Sequence, residues 1–164
     1  MVVILLCCSV VPLKAAFYTD SLKVELARTR GIQHLQTQEK LALSFYDKGQ
    51  FSDCLYHARK LRDLAEDWSF SDLEAEGWYM MAKAINRMGD EQRALQYHME
   101  ALALHKHSND ALKLMKSYNN IGVLFHHKGA YVEAKANYEL ALGFARMREQ
   151  EEVITKLLRN LGLV

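Results

Sequence analysis

Histidine is the residue type in this sequence whose arrangement first suggests chemistry, as a metal ligand or a general base. Four of the seven histidines fall in two close groups, His105 with His107 and His126 with His127. Two side chains of one helix reach the same ion when they lie three or four residues apart, and neither group has that spacing. No acid or cysteine completes either set. We therefore interpret these histidines as polar surface residues and expect no metal site.

The cysteines and acids form no catalytic pattern either. Cys7 and Cys8 lie in an apolar N-terminal run, and Cys54 stands where related segments have alanine, which predicts a small buried thiol. The sequence has no nucleophile beside a base at useful spacing, no glycine-rich phosphate loop and no metal signature. It therefore predicts a protein that is not an enzyme and needs no cofactor.

The charge balance gives no reason to expect a polyanionic partner. The chain has 164 residues with 21 basic and 20 acidic side chains, well interspersed, for a net charge of +1. Bulk electrostatics therefore favours neither nucleic acid nor an anionic membrane as partner. The single proline, Pro12, leaves the rest of the chain free to be helical and undivided by a linker.

The N-terminus resembles a targeting segment. Residues 2–13 carry no charge, and small residues end the segment at Ala16. A run of this length is too short to span a bilayer but suits a secretory signal, although no Lys or Arg precedes it. We expect residues 1–16 to be a signal peptide and the protein to be exported. A buried N-terminal helix and a membrane anchor are the alternatives.

The chain repeats itself every 40 residues. Gly49, Gly89 and Gly129 mark the register. In each copy an apolar helical pattern precedes the glycine and another follows it, which predicts a helix pair with a bend at the glycine. Small residues recur at fixed offsets; the list includes Ala42, Ala82 and Gly122 before the bend and Cys54, Ala94 and Ala134 after it.

We predict a capping helix over residues 17–34, ended by Gly31, and then stacked repeats. The repeats run over about 35–74, 75–114 and 115–154, with the first helix of a fourth at 155–164. Such pairs shield one another's apolar faces, and terminal units need a cover. Trp68 and Phe70, between the first two repeats, are expected to fill the seam between them.

The pattern resembles the tetratricopeptide repeat family over about residues 33–164. The third copy is the most similar, through Tyr118, Ile121-Gly122, Phe125, Ala134, Tyr138 and Ala141. In the second copy His98 takes a position that is usually aromatic, so we expect it to act as an aromatic side chain in the interface. The 40-residue unit is similar to the longer-helix type found in extracytoplasmic regions of bacterial regulatory proteins and in adaptors. The resemblance implies an all-α, right-handed solenoid of antiparallel helix hairpins.

The resemblance also implies a peptide-binding concave face, formed by the first helix of each repeat. The outward positions on these helices are Glu39, Leu43, Tyr46, Glu76, Tyr79, Lys83, Asn86, Lys116, Asn119, Val123, His126, Lys156 and Arg159. Their charge changes from acidic to basic along the chain, which favours an extended peptide with acidic residues near Lys116, Lys156 and Arg159. A solvated face with scattered charges is the alternative. Glu39 and Leu43 stand where carboxylate-gripping members of the family carry Lys and Asn, which counts against that kind of clamp.

The function predicted from the sequence is a non-catalytic scaffold that binds a protein or peptide outside the cytoplasm. One alternative is the N-terminal sensory region of a larger membrane-bound bacterial regulator, with a DNA-binding or histidine kinase module beyond Val164. The other is a cytosolic adaptor.

Overall fold

The computed structural model describes the backbone of residues 10–162 and the side chains of residues 17–162. All regular structure in this range is helical, which confirms the predicted all-α class. The helices in chain order are α1 (Val10–Arg28), α2 (Gly31–Asp47), α3 (Phe51–Asp67), α4 (Ser71–Arg87), α5 (Glu91–Ser108), α6 (Ala111–His127), α7 (Tyr131–Met147) and α8 (Glu151–Asn160).

The three predicted bends lie inside helix hairpins, between α2 and α3, α4 and α5, and α6 and α7. Gly49, Gly89 and Gly129 have φ angles of +73°, +91° and +75°. In the first bend the N–H of the next residue, Gln50, donates to the carbonyl of Phe45 at 2.9 Å, and the other two bends repeat this bond. Such a helix end needs a left-handed residue, which is why glycine recurs there.

The bends between hairpins also recur every 40 residues, and the sequence pattern did not reveal them. Ser69, Asn109 and Glu149 have φ angles of +59°, +53° and +52°. Because none of the three is glycine, the left-handed conformation carries a steric cost that hairpin packing offsets.

The helices begin about four residues before the repeat boundaries drawn from the sequence. The hairpins start at Gly31, Ser71 and Ala111, rather than near 35, 75 and 115. The first turn of each helix is mostly exposed, so the apolar period becomes visible only in the second turn. Gly31 is the first residue of α2 and does not end α1, which stops at Arg28.

Helix α1 covers the outer flank of α2. Leu22 is 2% exposed and lies in one core cluster with Leu41 and Phe45 of α2. Thr19 Oγ1 lies 2.7 Å from Ser44 Oγ, and the ammonium group of Lys48 donates to the Thr19 hydroxyl. The signal predicted for residues 1–16 falls on residues 1–9, which lie outside the described chain, and on residues 10–16, of which only the backbone is described. No helix in the described part is both long and apolar enough to cross a membrane.

The core contains small residues where paired helices cross. Cys54 is fully buried, as predicted, and burial raises the pKa of its thiol to about 11. Gly77 and Gly122 allow close approach, because a Cβ at either would come within 2.8 Å of a neighbouring side chain. The prediction for Trp68 and Phe70 is wrong: they are 41% and 38% exposed, because they flank a tight inter-hairpin bend at the edge of the stack.

Candidate functional site

The first helices of successive hairpins, α2, α4 and α6, together with α5, enclose a cavity of about 140 Å³, which we call the central cavity. The side chains that line it are Tyr46 of α2, Tyr79, Lys83 and Asn86 of α4, His98 of α5, and Asn120 and Val123 of α6. The cavity therefore depends on three adjacent hairpins, and only their correct stacking creates it.

Lys83 is the cation of the central cavity. Its Nζ atom lies 4.1 Å from the centre of the Tyr46 ring and 5.8 Å from that of Tyr79. No carboxylate of the described residues lies within ion-pair distance of it. Burial lowers the pKa of Lys83, with Asp47 acting in the opposite direction. The ammonium is thus held by aromatic faces, and its charge is available to an anionic group.

A hydrogen bond and a buried ring fix the polar wall beside Lys83. Asn120 Nδ2 donates to the Tyr79 hydroxyl at 3.2 Å, which ties α6 to α4. The Tyr79 ring meets the edge of the His98 ring at 5.5 Å. His98 is 2% exposed, so the aromatic role predicted for it is confirmed. Burial, and then the charge of Lys83, lowers the pKa of His98 to about 4, so this imidazole is neutral at neutral pH.

A second, smaller space of about 20 Å³ adjoins the central cavity, with Glu76, Tyr79, His105, Lys113 and Lys116 around it. Lys113 Nζ lies 3.4 Å from Asp72 and 3.6 Å from Glu76, so its charge is balanced by this chain's own acids. Lys116 is exposed and has no ion-pair partner among the described residues. The two spaces therefore differ in electrostatic character: the central cavity has a net positive charge, and the smaller one is balanced.

His105 is buried, so its prediction as a surface residue is wrong. It is 2% exposed because α6 packs over this turn of α5, and its Nδ1 atom lies 2.9 Å from Ser117 Oγ. Burial, followed by Lys113, lowers the pKa of His105 to about 4. Its Nε2 atom lies 4.0 Å from Glu76, but the neutral ring makes no salt bridge at neutral pH.

The other grouped histidines are exposed, as predicted. His127 Nδ1 lies 2.9 Å from Glu91 of α5, and His107 Nδ1 lies 2.8 Å from the carbonyl of Ala103. Within residues 17–162 no three His, Cys, Asp or Glu side chains are close enough to hold a metal ion.

The structure brings together about half of the residues predicted for the binding face. Tyr46, Tyr79, Lys83, Asn86 and Val123 line the central cavity, and Glu76 and Lys116 line the smaller one. Glu39 borders them on α2. Burial, and then the charge of Glu76, raises the pKa of Glu39.

The remaining predicted residues lie elsewhere. Leu43 lines a separate cleft between α1 and α2 with Tyr18 and Asp47. Asn119 lines neither cavity, and the His126 ring packs against Tyr131 at 5.4 Å. Lys156 and Arg159 lie on α8, beyond both spaces, and Lys156 is paired with Glu152 at 2.7 Å.

Four lining residues were missed from the binding face: His98, His105, Lys113 and Asn120. Asn120 is equivalent to Met80, which lies 40 residues earlier and is buried, so periodicity assigns the position to the core. A polar residue at a position that is apolar in the sister repeat was the available signal.

Comparison with known proteins identifies the fold. No protein-family model and no curated protein matches the chain. Among solved structures, the TPR domain of Arabidopsis FLU superposes with a TM-score of 0.64 at 20% identity, over 71% of this chain and 97% of that domain. The chain has a tetratricopeptide repeat fold.

Two further structures extend the likeness over the described helices. The apo form of RapI gives a TM-score of 0.79 at 17% identity and covers 92% of this chain. MamA gives 0.63 at 18% identity, over 98% of this chain and 88% of that one. This chain spans only 43% of RapI. The tetratricopeptide solenoid predicted from the repeats is confirmed as a fold.

Proposed function

We propose that this protein is a non-catalytic scaffold that binds an extended segment of a partner protein across α2, α4 and α6. An acidic side chain or terminal carboxylate of that segment enters the central cavity and meets Lys83. The observation that carries the proposal is the position of Lys83, a half-buried ammonium in a cavity with no carboxylate of the described chain beside it.

The neighbours of Lys83 suit a carboxylate. Asn86 and Asn120 carry amide donors at the same cavity, and the tyrosine rings of Tyr46 and Tyr79 exclude water from one side of the ammonium. The volume of about 140 Å³ corresponds to several water molecules at roughly 30 Å³ each, which is room for a carboxylate group. A carboxylate here replaces cavity water and forms charge-assisted hydrogen bonds.

The rest of the segment follows the charge distribution on the adjacent helices. Lys116 lies at the neighbouring space without an acidic partner, whereas Lys113 is balanced by Asp72 and Glu76. A second acidic residue of the ligand therefore pairs with Lys116. Because Lys156 and Arg159 lie beyond both spaces on α8, the acidic part of the ligand binds nearer the middle of the solenoid than the sequence suggested.

The test is a selection from a random linear peptide library displayed on phage, followed by affinity measurement on the selected peptides. We expect the wild-type protein to enrich Asp- and Glu-containing peptides. We expect Lys83→Met to weaken their binding by at least about tenfold, since one charge-assisted bond is worth about 1.5–3 kcal/mol.

The matched control is Lys60→Met, which removes an exposed lysine on the opposite helix layer. Equal loss of binding in the two variants contradicts the proposed role of Lys83, as does a selected set of peptides without acidic residues.

Export to the outside of the cytoplasm is also part of the proposal. Its support is the uncharged run of residues 2–13, followed by small residues at Ala15 and Ala16. N-terminal sequencing of the protein isolated from each cell fraction tests it. Purely cytosolic protein that retains residues 1–16 contradicts export.

A further inference from the structure

The exposed face of α7 carries a row of apolar residues that the described chain leaves uncovered. We call it the α7 stripe; its members are Val132, Ala136, Leu140, Gly143 and Met147. At 3.6 residues per turn, their spacing places all five within an arc of about 80°. Val132, Leu140 and Met147 are 81%, 49% and 74% exposed, so the stripe faces solvent along the whole helix.

The sister repeats show that this face is not normally apolar. Helices α3 and α5 begin 80 and 40 residues before α7, so their positions can be compared one by one. Eight of the ten equivalent positions are polar or charged, namely Ser52, Lys60, Asp63 and Asp67 in α3 and Gln92, Gln96, Glu100 and His107 in α5.

The same comparison shows that the stripe is not a contact for a following hairpin. In α5 all five equivalent positions are exposed, although α6 and α7 follow it and pack against it. A hairpin packed after α7 in the same manner therefore leaves the α7 stripe open. Its apolar character calls for contact with another molecule.

Gly143 gives a second indication that another molecule approaches this face. Glycine weakens a helix interior, and the other two mid-helix glycines, Gly77 and Gly122, are explained by close neighbours within the chain. A Cβ at Gly143 would meet no atom within 4 Å. Nothing in the described chain therefore requires glycine at this position, whereas a helix from outside that packs closely against α7 does.

We propose that the α7 stripe joins two copies of this chain, with their α7 helices antiparallel. Large and small residues alternate along the stripe, which makes it complementary to itself. In one register Leu140 faces Gly143 of the second copy and Met147 faces Ala136 of the second copy. The two-fold axis repeats both contacts, so four large side chains pack against four small ones.

The charges beside the stripe agree with this register. Glu139 and Arg146 lie on the same edge of the stripe, and antiparallel pairing brings that edge of one copy against the same edge of the other. At 1.5 Å per residue, Glu139 of one copy lies within about 3 Å, along the helix axis, of Arg146 of the other. Within the described chain Arg146 has no ion-pair partner, and Glu139 makes only a pair with Lys135 at 3.9 Å.

The test is sedimentation velocity of the full chain over a concentration series from micromolar to sub-millimolar. We expect a reversible monomer–dimer equilibrium. Leu140→Lys should raise the dimer dissociation constant at least about tenfold, because it places a charge at the centre of the contact. The control Gln96→Lys introduces the same charge at the equivalent position of Ala136 on α5 and should leave the dissociation constant unchanged.

Two further variants separate this contact from nonspecific association. Gly143→Leu should weaken the dimer without lowering the thermal stability of the dilute monomer, because the position is open in the monomer and leucine favours helix. Glu139→Arg and Arg146→Glu should each weaken the dimer, and their combination should restore it. A wild-type chain that stays monomeric throughout, a dimer indifferent to Leu140→Lys, or a failure of the paired charge reversal overturns the proposal.

Discussion

Gly77 of α4 lies directly against the backbone of Arg62 in α3, so closely that a Cβ on Gly77 would be 2.7 Å from Arg62 Cβ. This contact joins the second helix of one hairpin to the first helix of the next. The same Arg62 places its guanidinium 4.5 Å from the centre of the Trp78 ring. The seam between the first two hairpins is thus closed by backbone approach and by an arginine on an aromatic face.

We predict that Gly77→Ala destabilises the protein by about 1–3 kcal/mol, because the clash falls on backbone atoms that cannot move alone. Urea unfolding measures the effect. The control is Gly143→Ala, which adds the same methyl group to an open helix position and should stabilise the dilute monomer by about 0.5–1 kcal/mol. Equal effects of the two changes would show that the Gly77 contact is loose in solution.

A second prediction concerns pH. Burial lowers the pKa values of His98 and His105 to about 4 in the folded protein, whereas an unfolded histidine titrates near 6.5. The unfolded state therefore binds more protons as the pH falls from 7 to 4. The stability due to each neutral ring is fully present above pH 6.5 and is lost below it, by up to about 3 kcal/mol per ring.

The measurement is the free energy of unfolding in urea at several pH values between 7.5 and 4.5. We expect His98→Phe to flatten this dependence, because phenylalanine keeps the contact with Tyr79 and takes up no proton. His107→Gln serves as the control, since His107 is exposed, and should leave the slope unchanged. A wild-type stability independent of pH in this range is incompatible with two buried neutral imidazoles.

The third prediction concerns the covering helix α1. Leu22→Ala should destabilise the protein by about 2–4 kcal/mol, because Leu22 is 2% exposed and packs in the first core cluster. Val24→Ala, at a site that is 52% exposed on the same helix, should change stability by less than about 0.5 kcal/mol. Chemical unfolding of both variants decides whether α1 is an integral part of the solenoid.

The sequence predicted the hairpins well because their determinants are local and repeated. Gly49, Gly89 and Gly129 mark left-handed helix ends that other residues adopt at a cost, so their spacing is visible without coordinates. The bends at Ser69, Asn109 and Glu149 were not visible, since their conformation is imposed by packing and their residue types differ.

The candidate site was predicted only in part, because it forms between repeats. Tyr79, Lys83 and Asn86 share one face of α4, and helical spacing alone groups them. Whether that face meets Asn119 or Asn120 depends on the rotation of α6 against α4, and the structure selects Asn120. His105 seemed a surface residue because its burial comes from the packing of α6, beside Ser117, and not from its own helix.

The proposed role of Lys83 can be measured at the atom concerned. Nuclear magnetic resonance of the lysine ε-methylene groups gives the pKa of Lys83 in the free protein and in complex with a selected acidic peptide. In the free protein burial holds this pKa below the ordinary lysine value. We predict that a bound carboxylate raises it, while the pKa of the distant Lys60 does not change. A Lys83 pKa that is unchanged or falls further on saturation with peptide would contradict the contact on which the proposed function rests.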